Sequence, residues 1–152
     1  MTESALRPES ARALYSRHRQ AQPWGKAAQS APKILVVDDD GSVRKALGRL
    51  FKSAGYAVEL YASGEEYLAR PPAAPPACLV IDMKMAGMGG LELQRSIGAA
   101  SRPLPIVFIT GDVDDDSRAQ ALADGAVAVV SKPLDERVLF GAIRIALGPP
   151  PP

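Results

Sequence analysis

Residues 33–147 alternate two hydrophobic periods, and that alternation constrains the fold more than any other feature of the chain. Apolar runs of strand length stand at 34–37 (ILVV), 57–61 (AVELY), 78–81 (CLVI), 106–110 (IVFIT) and 126–130 (AVAVV). Between them the apolar residues recur every three or four positions. Val43, Ala46, Leu47, Leu50 and Phe51 mark a first helix that Gly55 closes. Ser63 opens a short second one, with Glu66 three residues on in the pattern of a capping box. Further helices are expected near 90–97, near 114–124, and along Leu134, Val138, Leu139, Ala142, Ile143 and Ala146. Continuous apolar runs need cover on both faces of a sheet. Five β–α units in succession therefore predict a doubly wound α/β domain: a parallel sheet, helices on both faces, right-handed crossovers.

Composition narrows the function. At 152 residues the chain suits one domain, burying roughly 70% of its unfolded surface. Its 18 Lys and Arg nearly balance 17 Asp and Glu, which excludes a direct grip on nucleic acid through bulk basicity. No apolar run approaches the ~20 residues of a membrane span. One cysteine, Cys78, excludes a disulfide framework, and one histidine, His18, leaves too few ligands for a multi-histidine metal site. Residues 1–32 carry Arg7, Arg12, Arg17, Arg19 and Lys26 against Glu3 and Glu9, interrupted by Pro8, Pro23 and Pro32. With no apolar core of a secretory signal, that segment reads as a disordered basic arm. Residues 148–152, Gly148 and four prolines, read as a proline tail that ends the last helix. The expected domain is 33–147, in a cytoplasmic protein.

In a doubly wound sheet, ligands gather at the carboxyl ends of the strands. Behind the first run stand Asp38, Asp39 and Asp40, and behind the third stands Asp82. The fourth ends in Thr110 and Gly111, the fifth in Ser131, Lys132 and Pro133. Helix capping accounts for one carboxylate; three in a row exceed that need. Two carboxylates ~4 Å apart repel by ~4 kcal/mol at an effective dielectric of 20, so they share a proton or hold a cation. Oxygen-only ligands favour Mg²⁺ or Mn²⁺ over zinc. A carboxylate kept ionised between such an ion and a lysine can attack phosphorus, with ammonium and hydroxyl groups meeting the phosphoryl charge.

The segments ILVVDDD, CLVIDMKMAGMGGLEL, VFITG and DGAVAVVSKP, in this order and spacing, resemble the receiver domain of bacterial response regulators over 33–147. The resemblance implies a flavodoxin-like sheet of order 2-1-3-4-5 with five flanking helices. It implies that Asp82 is the phosphoacceptor, that Asp39 binds Mg²⁺ directly and Asp38 through water, and that the Lys84 backbone carbonyl completes the protein ligands. Thr110 would be the switch hydroxyl and Lys132 the lysine paired with the phosphoacceptor, with Lys132–Pro133 a cis bond. The phosphoryl donor would be a histidine kinase or a histidine phosphotransfer protein, and the signal would pass to a downstream protein of unknown identity. The last two helices and the fifth strand would form the readout surface, which leaves room for a homodimer.

The chain departs from the family pattern at several points. Ala86 stands where the family usually has proline and Gly89 where it often has aspartate, so the loop AGMGG is expected to gain backbone freedom. Val129 replaces the aromatic residue whose rotamer usually reports phosphorylation. A proline-rich stretch, 70–77 (RPPAAPPA), precedes the third strand, and Asp112, Asp114, Asp115 and Asp116 make the loop after Thr110 acidic. Two rival readings stand beside the receiver. One is the same fold used as an interaction module without phosphotransfer. The other is a haloacid-dehalogenase-type phosphatase, which takes Asp38 as nucleophile and leaves Asp82 without a role. No segment after Leu147 is long enough for an output domain, so a stand-alone receiver is expected.

Overall fold

The computed structural model describes residues 31–74, 76–100, 104–111 and 114–148. Most of the expected basic arm, His18 within it, and the tail beyond Gly148 lie outside these residues. The order of elements is β1 (Lys33–Val37), α1 (Gly41–Ser53), β2 (Ala57–Tyr61), α2 (Gly64–Ala69), β3 (Cys78–Asp82), α3 (Gly90–Ala100), β4 (Ile106–Thr110), α4 (Asp115–Ala123), β5 (Ala128–Ser131) and α5 (Glu136–Leu147). All four strand pairings are parallel, and the sheet runs β2-β1-β3-β4-β5. The doubly wound α/β architecture and its strand order are therefore as expected.

Alternation along each central strand sorts side chains into two cores, because successive residues point to opposite faces. Ile34, Val36, Cys78, Val80, Val107 and Ile109 face Leu47 and Phe51 of α1 and Leu139, Phe140 and Ile143 of α5. Leu35, Val37, Leu79, Ile81 and Phe108 face Tyr67 of α2, Leu93 and Ile97 of α3 and Ala121 of α4. Each fully buried aliphatic side chain is worth about 1.5–3 kcal/mol relative to exposure. On the α1/α5 face, Phe51 and Phe140 add an edge-to-face contact with centroids 5.9 Å apart and planes at 83°. Among the described residues no helix is long and apolar enough to cross a membrane.

Element ends differ from expectation where hydrogen bonding decides them. The apolar pattern puts the fifth strand at 126–130, and it lies at Ala128–Ser131. The Ala126 N–H donates to the Ala121 carbonyl at 3.0 Å, completing the turn at the end of α4 around Gly125, whose φ is +105°. The Val127 N–H is then the first to bond β4, donating to the Ile106 carbonyl at 2.8 Å, and Ser131 pairs with Thr110 at the other end. The last helix begins at Glu136 because Asp135 is its N-cap, its carboxylate accepting from the Arg137 and Val138 N–H groups. Ser63 caps α2 by accepting from the Glu66 N–H, while the Glu66 carboxylate accepts from Ala62, one residue before the cap. The third strand runs one residue further than expected. Asp82 is its last residue.

Candidate functional site

The strand order sets β1 and β3 side by side, with Val37 opposite Ile81, so Asp38 and Asp82 emerge together at the carboxyl edge. Asp38 is fully buried. Its N–H donates to the Tyr61 carbonyl at 3.1 Å, carrying the sheet one rung past β1. Its Oδ1 accepts from the Asp40 N–H at 2.9 Å, and its carbonyl accepts from an Arg44 guanidinium N–H at 2.7 Å. Asp40 turns away and caps α1, accepting from the Ser42 and Val43 N–H groups. Capping therefore explains Asp40 alone. Asp39 is exposed, and its Oδ2 accepts from the Ala86 N–H at 3.0 Å.

Asp82 is nearly buried. Its Oδ1 accepts from the Lys84 N–H at 3.2 Å, and its Oδ2 lies 3.7 Å from the Lys132 ammonium. Thr110 closes β4 and is buried. Its carbonyl accepts from the Lys132 N–H at 2.7 Å, which anchors the lysine beside the carboxylates. Gly111 follows beside the lysine stem, where a Cβ would make ordinary contact with the Lys132 Cδ at 3.7 Å. Lys132–Pro133 is a cis peptide bond. The side chain of Lys84 is exposed, and its backbone N–H is the group that reaches Asp82.

Ligand atoms of Asp38, Asp39 and Asp82 all lie within 4.8 Å of one another. At that spacing each pair repels by about 3–4 kcal/mol at an effective dielectric of 20. One ammonium at 3.7 Å cannot offset three such charges. The strain shows on Asp38: burial above all, then the charge of Asp82, push its carboxyl up to about 6, against the opposing Asp40 hydrogen bond and Lys132 charge. Among the described residues, Asp38 Oδ2 is a buried oxygen with no hydrogen-bond partner. A buried acceptor left unmatched beside two more carboxylates fits a hard divalent cation with oxygen ligands.

Several contributors carry no signal in the sequence. Glu65 reaches from α2 to the loop after β3, where its Oε2 accepts from the Met88 N–H at 3.1 Å. With the Ala86 bond to Asp39 and a Gly90 N–H bond to the Met83 carbonyl at 3.0 Å, it anchors the AGMGG loop, for which more backbone freedom is expected. Arg118 of α4 donates to the Val129 carbonyl at 3.1 Å and to Ser131 Oγ at 3.4 Å, clasping the edge of β5 where the aromatic residue is missing. Arginine and glutamate of this kind look like ordinary solvated charges until the fold brings them to their acceptors.

A family model for the response regulator receiver domain matches residues 34–144. The chain is 38% identical over 117 residues to the response regulator protein TodT of Pseudomonas putida, covering 77% of this chain and 52% of that protein. It is 36% identical over 113 residues to the transcriptional regulatory protein FixJ of Rhizobium meliloti, covering 74% and 55%. The chain thus spans about half the length of the curated relatives it matches. Among solved structures, FixJ-N superposes with a TM-score of 0.71 at 34% identity, over 76% of this chain and 93% of that one. The chemotaxis response regulator CheY4 of Vibrio cholerae gives 0.70 at 28% identity, over 78% and 100%. Asp82, which the phosphatase reading leaves idle, stands inside the carboxylate cluster. Sheet order, acidic edge and relatives agree, and the chain belongs to the receiver domains of two-component response regulators, signalling modules rather than enzymes.

Proposed function

We propose that this receiver accepts a phosphoryl group on Asp82 from a partner phosphohistidine in a Mg²⁺-dependent reaction and signals through altered protein–protein contacts. One observation carries the reading: three carboxylates meet within 4.8 Å, one of them 3.7 Å from a lysine, with Thr110 ending the adjacent strand. A carboxylate oxygen of Asp82 attacks phosphorus, the N–P bond to the donor imidazole breaks, and the bonding pair leaves with that nitrogen. Lys132 balances charge on the phosphoryl oxygens, and the Thr110 hydroxyl donates to one of them. Asp38, Asp39, Asp82 and the Lys84 carbonyl would hold the metal, which when bound neutralises the crowded carboxylates and the incoming phosphoryl group. Mn²⁺ would serve by the same oxygen chemistry.

Donor and target follow from this reading. A histidine kinase or histidine phosphotransfer protein supplies the group, and a further protein reads the result. Exposed Leu122 on α4 and Val138 and Ile145 on α5 support a readout face at α4, β5 and α5, through which a homodimer could form. Valine at 129 has no large ring to swing, and Arg118 ties α4 to that strand at the Val129 carbonyl and the Ser131 hydroxyl.

Acetyl phosphate with Mg²⁺ is expected to add one labile phosphoryl group to the full chain by intact mass, and none in excess chelator. If hydrolysis outruns detection, beryllofluoride with Mg²⁺ is expected to raise the unfolding temperature. Failure of both would leave an interaction module without phosphotransfer.

The raised carboxyl of Asp38 adds a pH dependence. In the metal-free protein its protonated form favours folding, so that contribution is full below about pH 4 and is lost as pH rises through about 6. Metal binding needs the ionised form. Mg²⁺ affinity is therefore expected to climb through the same window, by up to about tenfold per pH unit, and to level off above it. Thermal unfolding with and without Mg²⁺ between about pH 5 and 8 checks this; an equal metal-induced rise at both ends would remove Asp38 from the site.

A further inference from the structure

We infer that the Ala86 backbone amide is a positioning group for the metal site, holding the Asp39 carboxylate ready for the ion. The inference rests on the metal-binding reading above. Asp38 is held by burial and by the turn to Asp40, and Asp82 by burial, the Lys84 N–H and Lys132. Asp39 is the exposed member of the cluster, where a carboxylate left to itself exchanges rotamers in water. Its bond from the Ala86 N–H, 47 residues away, fixes one oxygen at 3.0 Å and so orients the other.

The turn that presents this amide is itself constrained. Gly87 takes φ +75°, and a Cβ there would stand 2.9 Å from Glu65 Oε2, the same oxygen that accepts the Met88 N–H. Position 86 must also carry a hydrogen on nitrogen. Proline, the residue expected there from the family resemblance, has none. Alanine in this chain therefore adds a donor that proline would delete, and it adds it at a metal ligand.

Calorimetric Mg²⁺ titration of the full chain near neutral pH separates the possibilities. Ala86→Pro is expected to weaken Mg²⁺ about two- to fivefold, the entropy of one side chain no longer pre-ordered. Ala86→Ser, which keeps the amide, is expected to bind as the wild type does. In an Asp39→Ala background, titrated into the millimolar range, Ala86→Pro is expected to cost nothing further. In metal-free protein the Ala86 amide proton resonance should move upfield when Asp39 becomes alanine, which reports the hydrogen bond itself in solution. Equal affinity for Ala86→Pro and wild type, an equal loss in both backgrounds, or a loss in Ala86→Ser as large as in Ala86→Pro would overturn the inference. Absence of Mg²⁺ binding by the wild type would instead overturn the metal reading on which it stands.

Discussion

Asp82→Asn is expected to abolish phosphoryl labelling by acetyl phosphate under conditions where the wild type gains one group, with the fold intact. The substitution keeps shape and keeps an oxygen for the Lys84 N–H at 3.2 Å, but removes the carboxylate proposed as nucleophile. Its effect on stability is a difference of comparable quantities. Losing the partner of Lys132 at 3.7 Å is unfavourable, while relieving repulsion from Asp38 and Asp39 within 4.8 Å is favourable. The net change is expected to stay within about 1 kcal/mol, near the middle of the range for single substitutions. A second readout tests the electrostatics independently. The charge of Asp82 raises the Asp38 carboxyl, so that carboxyl should titrate below about 6 in the variant, by carbon-detected NMR. Burial, the larger cause, remains, and a full return to the ordinary aspartate value is not expected. A stable adduct on Asp82→Asn would move the nucleophile elsewhere, Asp38 being the first place to look.

Gly90→Ala is the substitution expected to damage both fold and chemistry. A Cβ at Gly90 would stand 2.8 Å from the Asp82 carbonyl oxygen, 2.9 Å from the Met83 Cα and 2.9 Å from a ring carbon of Phe108. Two of these are backbone atoms of the strand end and cannot rotate aside. Alanine is the better helix former by about 1 kcal/mol in a helix interior, but Gly90 opens α3, where that gain is smaller. Overpacking of this kind costs about 1–3 kcal/mol, so the unfolding midpoint is expected to fall by about 5–15 °C. The atom displaced is the carbonyl of Asp82, the proposed phosphoacceptor. A shift near 1 Å in a reacting group costs about a hundredfold in rate, and labelling is expected to slow at least tenfold even at temperatures where the variant is folded. Wild-type stability together with wild-type labelling would show that α3 can slide off β3 without cost.

Much of this architecture is legible in the order of residues alone. The strands at 106–110 and 57–61 fall where their apolar patterns put them. Asp38, Asp39, Asp82, Thr110 and Lys132 stand out by position, as polar groups following or closing apolar runs in a fold whose strand ends carry ligands. The division of labour among three consecutive aspartates is not legible in that way. Identical side chains in sequence become a buried, partly unmatched carboxylate, an exposed one tied to Ala86, and a helix cap. The start of β5 escapes the apolar pattern for a related reason: Ala126 and Val127 are as apolar as the strand, but the Ala126 N–H belongs to the turn ending α4.

Residue order alone records what repeats locally. Side-chain periodicity records whether a segment is helix or strand and which faces are covered, because each residue's direction depends only on its own backbone and near neighbours. Strand order came with the family resemblance, not with the periodicity, and the tertiary structure realises it. Only with β1 beside β3 do Asp38 and Asp82 come together despite their distance along the chain, and only the path of the loop after β3 sets the Ala86 amide on Asp39 and the Met88 amide on Glu65. Contacts of that kind depend on crossovers and turns that no local pattern encodes. The physical reason is simple: a hydrogen bond or a repulsion acts over a few ångströms in space, whatever the separation along the chain.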